Sequence, residues 1–423
     1  MADSTPAMPA ADRVGELPAL TGLRGFAALW VLLFHVSALS GAAPSLLPAW
    51  PAAGNVLTGF AHLGWAGVDL FFALSAFLLT LPFAGWRLRG GRQPRIGLYL
   101  LRRVLRIYPA YLAELAILLA LAAVLGIGRT IDPAAFLAHL VFWFNIGSHW
   151  IPPLVGAWFT LPIEFWFYLI LPLLAFGLDR RRWPWLLVGA LAVTFAYRFW
   201  AFHATAALPV PVRVVVIERL PGRLDEFVLG MLGAALFVAW NLRRLPARWL
   251  AAIFWLGVAG FTACCLAILA VAEQYWNGHW LLFAWHPPAA AAITAILVAA
   301  AAGAAPARVL FGNRAMRWFG EASFGTYLWH MPIIGWLLPL IPDSLSPVAR
   351  FWILLLPAFV LSTLAGYLSN VLIERPFLRL GRPASQHPGF ETELPRAAEP
   401  AGAEPRVARL TDPTALPPRS TDA

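Results

Sequence analysis

The chain has 423 residues, of which 60% are hydrophobic and only 12% are charged. Soluble domains carry about 25% charged residues, so this composition excludes a large soluble enzyme and indicates a polytopic membrane protein. The formal net charge of +10 would suit a nucleic-acid-binding protein. However, the arginines lie in short loops between apolar segments, and membrane topology explains that placement better.

The apolar segments of the chain are long enough to cross a bilayer, since each crossing takes about 20 residues. There are about ten such segments, and in chain order they cover 19–38, 63–83, 106–126, 157–177, 184–203, 225–241, 249–271, 287–304, 318–338 and 351–373. The predicted fold class is therefore all-α, a polytopic membrane protein with about ten transmembrane helices.

The remaining segments are polar or too short to cross. Residues 1–15 lack the pattern of a signal peptide, so we expect the first apolar segment to be retained. The stretch 134–146 is expected to be re-entrant or interfacial, and the Pro- and Glu-rich tail 381–423 to be disordered and cytoplasmic. No internal repeat is visible, which counts against a transporter built from inverted halves.

The distribution of arginine along the chain predicts its orientation. All 31 basic residues are arginine, as is common in GC-rich bacterial genomes. The loops at 87–106, 180–182, 243–248 and 308–317 are rich in arginine, whereas the loop 273–288 has none. The positive-inside rule therefore places both termini in the cytoplasm and the protein in the bacterial cytoplasmic membrane. The outer loop 204–223 breaks the pattern, and its arginines are candidates for binding: Arg213, Arg219 and Arg223.

Two polar side chains share one face of the first apolar segment. Arg24 and His35 are eleven residues apart, which is three helical turns and about 16 Å of rise. Such groups are costly in a membrane helix unless they face an interior cavity, so they mark a candidate functional site. The alternative is that neighbouring helices satisfy each group for purely structural reasons.

Three further polar side chains fall inside apolar segments. Asp69 and His35 are expected at similar depth on consecutive antiparallel helices, where Asp69 would orient His35 as a general base; the alternative is a pair that only locks two helices. Glu164 is a candidate second acid or base, or a group that holds the acceptor hydroxyl, or a partner of an outer-loop arginine. His330 is a candidate catalytic group or a satisfied packing residue.

A run of arginines at the entrance of the third segment is a candidate phosphate site. Arginine forks suit phosphates, and Arg102, Arg103 and Arg106 lie at the predicted cytoplasmic end. The alternative is that they only anchor the chain on the positive side. No nucleophile elbow or P-loop is present, and no His/Cys cluster has metal spacing, so no metal site is predicted. Cys264 and Cys265 are adjacent and form no disulfide framework.

At these residues the chain resembles the acyltransferase-3 family of bacterial multi-pass membrane proteins. Arg24 and His35 match the family's spacing of arginine, ten residues and histidine, and GVDLFFALSAFLL resembles its second-helix motif, with Ala76 in place of glycine. RRVLRIYPAY, RLDEFVLGMLGA, SFGTYLWHMPI and IERPF also match, in the family's order, across residues 16–380. The motif around Glu164 is only partly kept, although it retains Trp158.

The resemblance implies an acyltransferase domain over residues 16–380 that O-acylates, usually O-acetylates, a hydroxyl. The acceptor would be a cell-envelope or exported glycan or a glycoside, and the co-substrate would be cytoplasmic acyl-CoA, with no bound cofactor. Arg24 with Arg102, Arg103 or Arg106 would hold the CoA phosphates. His35, oriented by Asp69, would deprotonate the hydroxyl or carry the acyl group transiently.

Further expectations follow from the same resemblance. Glu164 would be a third catalytic group, and Trp158 and His330 would contact the acceptor. Because only residues 381–423 follow the matched region, we expect this chain to lack the extracytoplasmic domain that some members carry. Two other classes remain open from the residues alone. One is a transporter or flippase for a lipid-linked or small anionic molecule, and the other is a non-catalytic scaffold.

Overall fold

The computed structural model of the protein describes residues 17–41, 45–47, 49, 51–146, 153–240 and 242–381. Every regular element in these ranges is helical, in agreement with the predicted all-α class. The polar segment 1–15 and nearly all of the tail 381–423 lie outside the described residues, as do residues 147–152.

The α-helices of the described ranges are numbered here in chain order. The first half contains α1 Pro18–Ser40, α2 Pro51–His62, α3 Gly67–Arg89, α4 Ile96–Leu125, α5 Pro133–Leu140, α6 Thr160–Leu174, α7 Trp183–Ala204 and α8 Val210–Ile217. The second half contains α9 Leu224–Trp240, α10 Ala247–Leu269, α11 Ala272–Tyr275, α12 Leu281–Ala284, α13 His286–Ala302, α14 Ala305–Phe311, α15 Arg314–Leu337, α16 Pro347–Ser369 and α17 Arg375–Leu380. A π-helical turn, Asn370–Glu374, joins α16 to α17.

A helix lies at each of the ten predicted segments, but the number of membrane crossings is not confirmed. In the described ranges, seven helical segments are long and apolar enough to cross, or eight if α13 and α14, bent by 92°, form one span. The helix at 225–241, α9, has 17 residues, and α15 carries arginine and glutamate in its first half. The stretch 134–146 forms the eight-residue helix α5, which is too short to cross.

Apolar side chains on the outside of the bundle identify the surface that faces lipid. Trp185 on α7, Leu256 on α10 and Leu356 on α16 are 76%, 75% and 67% exposed. Contiguous apolar surface of this kind is rare on soluble monomers, whereas helices that satisfy their own backbone are the structures that lipid tolerates. The chain is therefore a multi-pass membrane protein.

Small residues bring α1 and α15 into backbone contact. A Cβ atom on Gly25 would lie 2.7 Å from the backbone nitrogen of Gly320 and 2.8 Å from the carbonyl oxygen of Met316. On the other side of α15, a Cβ atom on Gly325 would lie 2.8 Å from the Cα atom of Gly366 in α16. Glycine at such crossings lets membrane helices approach closely, and α15 is thereby held between α1 and α16.

Candidate active site

The close crossing of α1 and α15 brings two histidine rings together. Nδ1 of His35 lies 3.1 Å from Nε2 of His330, and the ring centroids are 4.9 Å apart. Nδ1 of His35 also lies 3.0 Å from the carbonyl oxygen of Val31, and Nδ1 of His330 lies 2.5 Å from that of Tyr327. His330 is 1% exposed, whereas His35 is half-buried. His35 is therefore the member of the pair that a substrate can reach.

These contacts assign the protonation of both rings. A carbonyl oxygen only accepts hydrogen bonds, so the Nδ1 atom beside it carries the hydrogen in each ring. In a neutral imidazole the other nitrogen is then unprotonated. Nε2 of His330 therefore shares the single Nδ1 hydrogen of His35 with the Val31 carbonyl oxygen. Nε2 of His35 is unprotonated and has no hydrogen-bond partner among the described residues. That nitrogen can act as a general base or as a nucleophile.

Arg24 lies on the same face of α1, three turns before His35. Its side chain is half-buried, and its electrostatic neighbours are Arg106, Glu164, Tyr168 and Glu374. In the part of the chain that the structure describes, no hydrogen bond or ion pair engages the Arg24 guanidinium. A guanidinium inside a membrane protein is normally paired, so this one is available to an anionic ligand.

Glu164 sits in a small polar network between α3 and α6. Its Oε1 atom accepts hydrogen bonds from the Ser75 hydroxyl at 2.7 Å and from the Tyr168 hydroxyl at 2.5 Å. The Arg103 guanidinium lies over the Tyr168 ring, 5.8 Å from its centroid. Glu164 thus borders the Arg24 region as a fixed acceptor, and the alternative of a partnership with an outer-loop arginine is wrong.

The other two arginines of the basic strip are engaged within the protein. Arg106 donates to Oε2 of Glu374 at 2.7 Å, and the Glu374 carboxylate is fully buried. Arg102 donates from Nε to the carbonyl oxygen of Gly381 at 3.1 Å. Both contacts tie the start of α4 to the end of the described chain. Arg103 reaches the Arg24 region through the Tyr168 ring, and Arg106 is a direct electrostatic neighbour of Arg24.

Comparison with known proteins identifies the class of this site. The family model described as an acyltransferase domain, that of the acyltransferase-3 family, matches residues 17–368. The chain belongs to the acyltransferase-3 family. The match confirms the resemblance seen in the motifs and decides for an enzyme over a transporter or a scaffold. This acyltransferase-3 protein is therefore a membrane protein of an acyltransferase family.

Curated relatives agree with that assignment. The chain is 28% identical to "Putative peptidoglycan O-acetyltransferase YrhL" of Bacillus subtilis over 86% of its length and 55% of that relative. It is 28% identical to acyltransferase MdmB of Streptomyces mycarofaciens over 90% of its length and 97% of the relative. It is 24% identical to O-acetyltransferase OatA of Staphylococcus aureus over 86% and 58%. The chain thus spans little more than half of two of these relatives, and no solved structure gives a significant match.

The predicted orientation of His35 by Asp69 is wrong. Asp69, in the first turn of α3, forms an ion pair with Arg223, and the ring contact of His35 goes to His330 instead. The guanidinium of Arg223 also lies 2.8 Å from Glu226 and pairs with Glu218. Asp69 is 1% exposed and serves as a counter-charge for Arg223 rather than as a partner of His35.

The sequence did not reveal this buried ion cluster because Asp69, Arg198 and His286 are far from Arg223 along the chain. The cluster contains Arg223 with its three carboxylate partners, and two further residues extend it. Nη2 of Arg198 lies 3.1 Å from Glu218, and His286 lies beside Glu226. Asp69, Glu226 and His286 could together reach a metal ion, but the Arg223 guanidinium already contacts both carboxylates. The RLDEF motif, with Arg223 and Glu226 three residues apart on one helical face, was the available signal.

Arg213 and Arg219, which the sequence marks as candidates for binding, form hydrogen bonds within the protein. Arg213 donates to the carbonyl oxygens of Trp276 and Ala206, each at 2.8 Å. Arg219 donates to that of Ile146 at 2.7 Å. These bonds tie α8, which carries Arg213, to the segments that follow α7 and α11. Both arginines therefore have a structural role.

Trp158 has no exposed surface in the structure, so its predicted contact with an acceptor stays a prediction. Its indole is fully buried, and Nε1 donates to Oε2 of Glu114 at 3.1 Å. His330 is likewise too buried to contact an acceptor directly. Glu114 had no sequence signal beyond being a lone acid in an apolar segment.

Proposed function

We propose that this acyltransferase moves an acetyl group from cytoplasmic acetyl-CoA to a hydroxyl of a cell-envelope or exported glycan or glycoside. The proposal places both termini in the cytoplasm and the protein in the bacterial cytoplasmic membrane, as the arginine distribution suggests. The observation that carries it is the unpaired Arg24 guanidinium below the free Nε2 atom of His35 on one face of α1.

The donor side of the proposal depends on charge. The phosphates of CoA are dianionic or anionic groups that arginine forks bind with charge-assisted, often bidentate hydrogen bonds. Arg24 offers such a fork with no hydrogen-bond or ion-pair partner among the described residues, and Arg103 lies at the adjacent Tyr168 ring. The rise of about 16 Å from Arg24 to His35 is a distance that the pantetheine arm can span, which would bring the thioester to the histidine.

The chemical step follows from the free lone pair of His35. Nε2 takes the proton of the acceptor hydroxyl while the hydroxyl oxygen attacks the thioester carbonyl carbon. The C–S bond then breaks, and the proton passes from Nε2 to the departing CoA sulfur, which leaves as the thiol. Enclosure of the site between α1, α6 and α15 would keep water from the thioester. In this scheme Glu164 holds the neighbouring polar network in place.

The acceptor is inferred from the relatives. Two of them carry O-acetyltransferase names, and one name specifies peptidoglycan, which supports a sugar hydroxyl in the cell envelope. MdmB, which this chain covers almost end to end, is named only an acyltransferase, with no acceptor specified. The proposal therefore also includes a smaller glycoside as the acceptor.

The test uses purified full-length protein in lipid nanodiscs with acetyl-CoA and a soluble β-1,4-linked N-acetylglucosamine pentamer. We expect CoA thiol release that depends on the pentamer, with acetyl esters on the sugar seen by mass spectrometry. His35→Gln should abolish both, although the protein inserts normally. If His35→Gln supports transfer at the wild-type rate, the proposed chemistry is wrong. Mass spectrometry of envelope glycans and secreted glycosides from a deletion strain identifies the natural acceptor.

A further inference from the structure

The contact between His35 and the helix backbone does not by itself distinguish this histidine. Three histidines in helices place Nδ1 against the carbonyl oxygen four residues earlier: His35 at 3.0 Å, His139 at 2.7 Å and His203 at 2.8 Å. This contact therefore recurs in helices that have no part in the candidate site. It fixes which nitrogen carries the hydrogen, but it gives no reason for His35 to be the base.

His35 differs from the other two by its second ring partner. In the described ranges, Nδ1 of His35 meets a nitrogen with a free lone pair, Nε2 of His330. Nε2 of His139 instead accepts a hydrogen bond from the backbone N–H of Leu154 at 3.2 Å. This bond indicates a structural role for His139. His35 alone among these three combines a free Nε2 with a second acceptor for its Nδ1 hydrogen.

His330 is itself held by neighbouring groups. Its Nδ1 donates to the carbonyl oxygen of Tyr327, and the Tyr327 hydroxyl lies 2.8 Å from both the carbonyl oxygen of Ala157 and the hydroxyl of Thr160. Thr160 begins α6, the helix that carries Glu164. The ring of His330 is therefore held by a carbonyl of its own helix and packs beside the Tyr327 ring, with the two centroids 5.5 Å apart. It is too buried to contact substrate.

We infer that His330 is the positioning residue for the base of acyl transfer, a role that rests on the proposed function of His35. Its Nε2 lone pair shares the Nδ1 hydrogen of His35 with the Val31 carbonyl oxygen and so aims the opposite nitrogen at the acceptor hydroxyl. When His35 takes up the hydroxyl proton, the same bond becomes charge-assisted and stabilises the imidazolium. His330 thus takes the place that a carboxylate occupies in many catalytic dyads, and it remains neutral throughout.

Two substitutions of His330 distinguish the role of its Nε2 atom from that of its Nδ1 atom. The glutamine amide oxygen reaches roughly the position of Nε2, so His330→Gln can still accept from His35. The shorter amide of His330→Asn corresponds to Nδ1, so it can still donate to Tyr327 but cannot reach His35. We expect His330→Asn to lower kcat by about 10²–10⁴-fold, the usual range for general-base catalysis, with the KM for acetyl-CoA unchanged. His330→Gln should retain kcat within about tenfold of wild type.

His139→Gln is the matched control, since it alters a buried histidine that makes only backbone hydrogen bonds. It should lower the amount of folded protein without a selective loss of kcat. Equal kcat values for His330→Gln and His330→Asn, whether low or high, would overturn the inference, because the contact to His35 would then have no effect.

A second measurement does not depend on turnover or on the acceptor. In the ¹⁵N NMR spectrum of histidine-labelled protein, an N–H···N bond couples the two ring nitrogens directly. We expect this coupling in the wild type, and its loss in both His35→Gln and His330→Asn. Absence of the coupling in the wild type would overturn the inference even if acyl transfer is confirmed. If the coupling is present but no transfer occurs, the proposed function fails instead.

Discussion

The guanidinium of Arg106 lies 2.7 Å from the fully buried carboxylate of Glu374, at the junction of α4 with the π-helical turn after α16. The ring of Phe324 covers the same guanidinium, 5.4 Å from its centroid. Arg24 is an electrostatic neighbour of both charges but has no such bond. The two arginines that the sequence grouped as phosphate ligands therefore have different roles. Arg106 is bound within the fold, and Arg24 is available.

Replacing Arg24 should weaken donor binding. Arg24→Lys keeps the charge but loses the planar fork, so we expect the KM for acetyl-CoA to rise by about tenfold. Arg24→Gln should raise it further. The measurement is CoA thiol release as a function of acetyl-CoA concentration, with Arg92→Gln as control, because Arg92 is exposed in the loop between α3 and α4. A wild-type KM in Arg24→Gln would mean that the donor binds elsewhere.

Replacing Arg106 should instead reduce stability. Removing one partner of a buried ion pair leaves an uncompensated charge and costs about 3–5 kcal/mol, so Arg106→Gln should lower the thermal unfolding midpoint in detergent. The double variant Arg106→Leu with Glu374→Leu should recover much of that loss, because neither charge is left buried. The opposite pattern, an unchanged midpoint with a raised KM for acetyl-CoA, would show that Arg106 binds the donor.

The sequence predicted the helices well because membrane helices leave a direct signal, a long apolar run between arginine-rich loops. It also predicted that Arg24 and His35 share a face, since helical geometry alone decides this. It could not predict which residue would meet His35. Asp69 and His330 are both polar groups in apolar segments at suitable depth, and the choice depends on the rotation of α3 and on the glycine crossing of α1 with α15.

The ion cluster shows the same limit for charged residues. The sequence favours a pair of Asp69 and His35 because the two lie on consecutive long apolar segments. However, Arg223, at the end of the loop 204–223, brings a full positive charge to Asp69. A permanent cation attracts a carboxylate more strongly than a neutral imidazole does. The order of helices along the chain therefore gave the wrong partner for Asp69.

Asp69→Asn tests this reassignment. The asparagine keeps the shape but removes the counter-charge of Arg223, so we expect a loss of stability of about 1–3 kcal/mol. The kcat of the protein that remains folded should stay within several-fold of wild type. The measurement is the thermal unfolding midpoint together with kcat per folded molecule. Normal stability with a large loss of kcat would restore Asp69 to the catalytic site.

The proposed orientation predicts the location of two loops. Reporter fusions after Gly278, between α11 and α12, should report the outer side, and fusions after Arg181, between α6 and α7, should report the cytoplasm. The physical reason is the contrast between the arginine-free loop at 273–288 and the three arginines at 180–182. Alkaline phosphatase and green fluorescent protein are complementary reporters for this purpose. A reversed result at both positions would contradict the cytoplasmic donor site.

The crossing of α1 with α15 gives a prediction that involves no polar group. In Gly25→Ala the new methyl would lie 2.7 Å from the Gly320 nitrogen and 2.8 Å from the Met316 oxygen. Both are backbone atoms, so the helices must separate, and the contact between His35 and His330 must lengthen. We expect kcat to fall by about tenfold or more, because misplacement of a catalytic group by 1 Å can cost about 10²-fold.

Gly335→Ala is the control for this prediction, since Gly335 lies on the same helix α15 but has nothing within 4 Å of an added Cβ atom. Alanine is also the better helix former by about 1 kcal/mol, so this variant should be as stable as the wild type or more so. Its kcat should be unchanged. If Gly25→Ala and Gly335→Ala behave alike, close packing of α1 on α15 does not set the geometry of the histidine pair. The base must then be positioned by contacts within α1, such as the Val31 carbonyl.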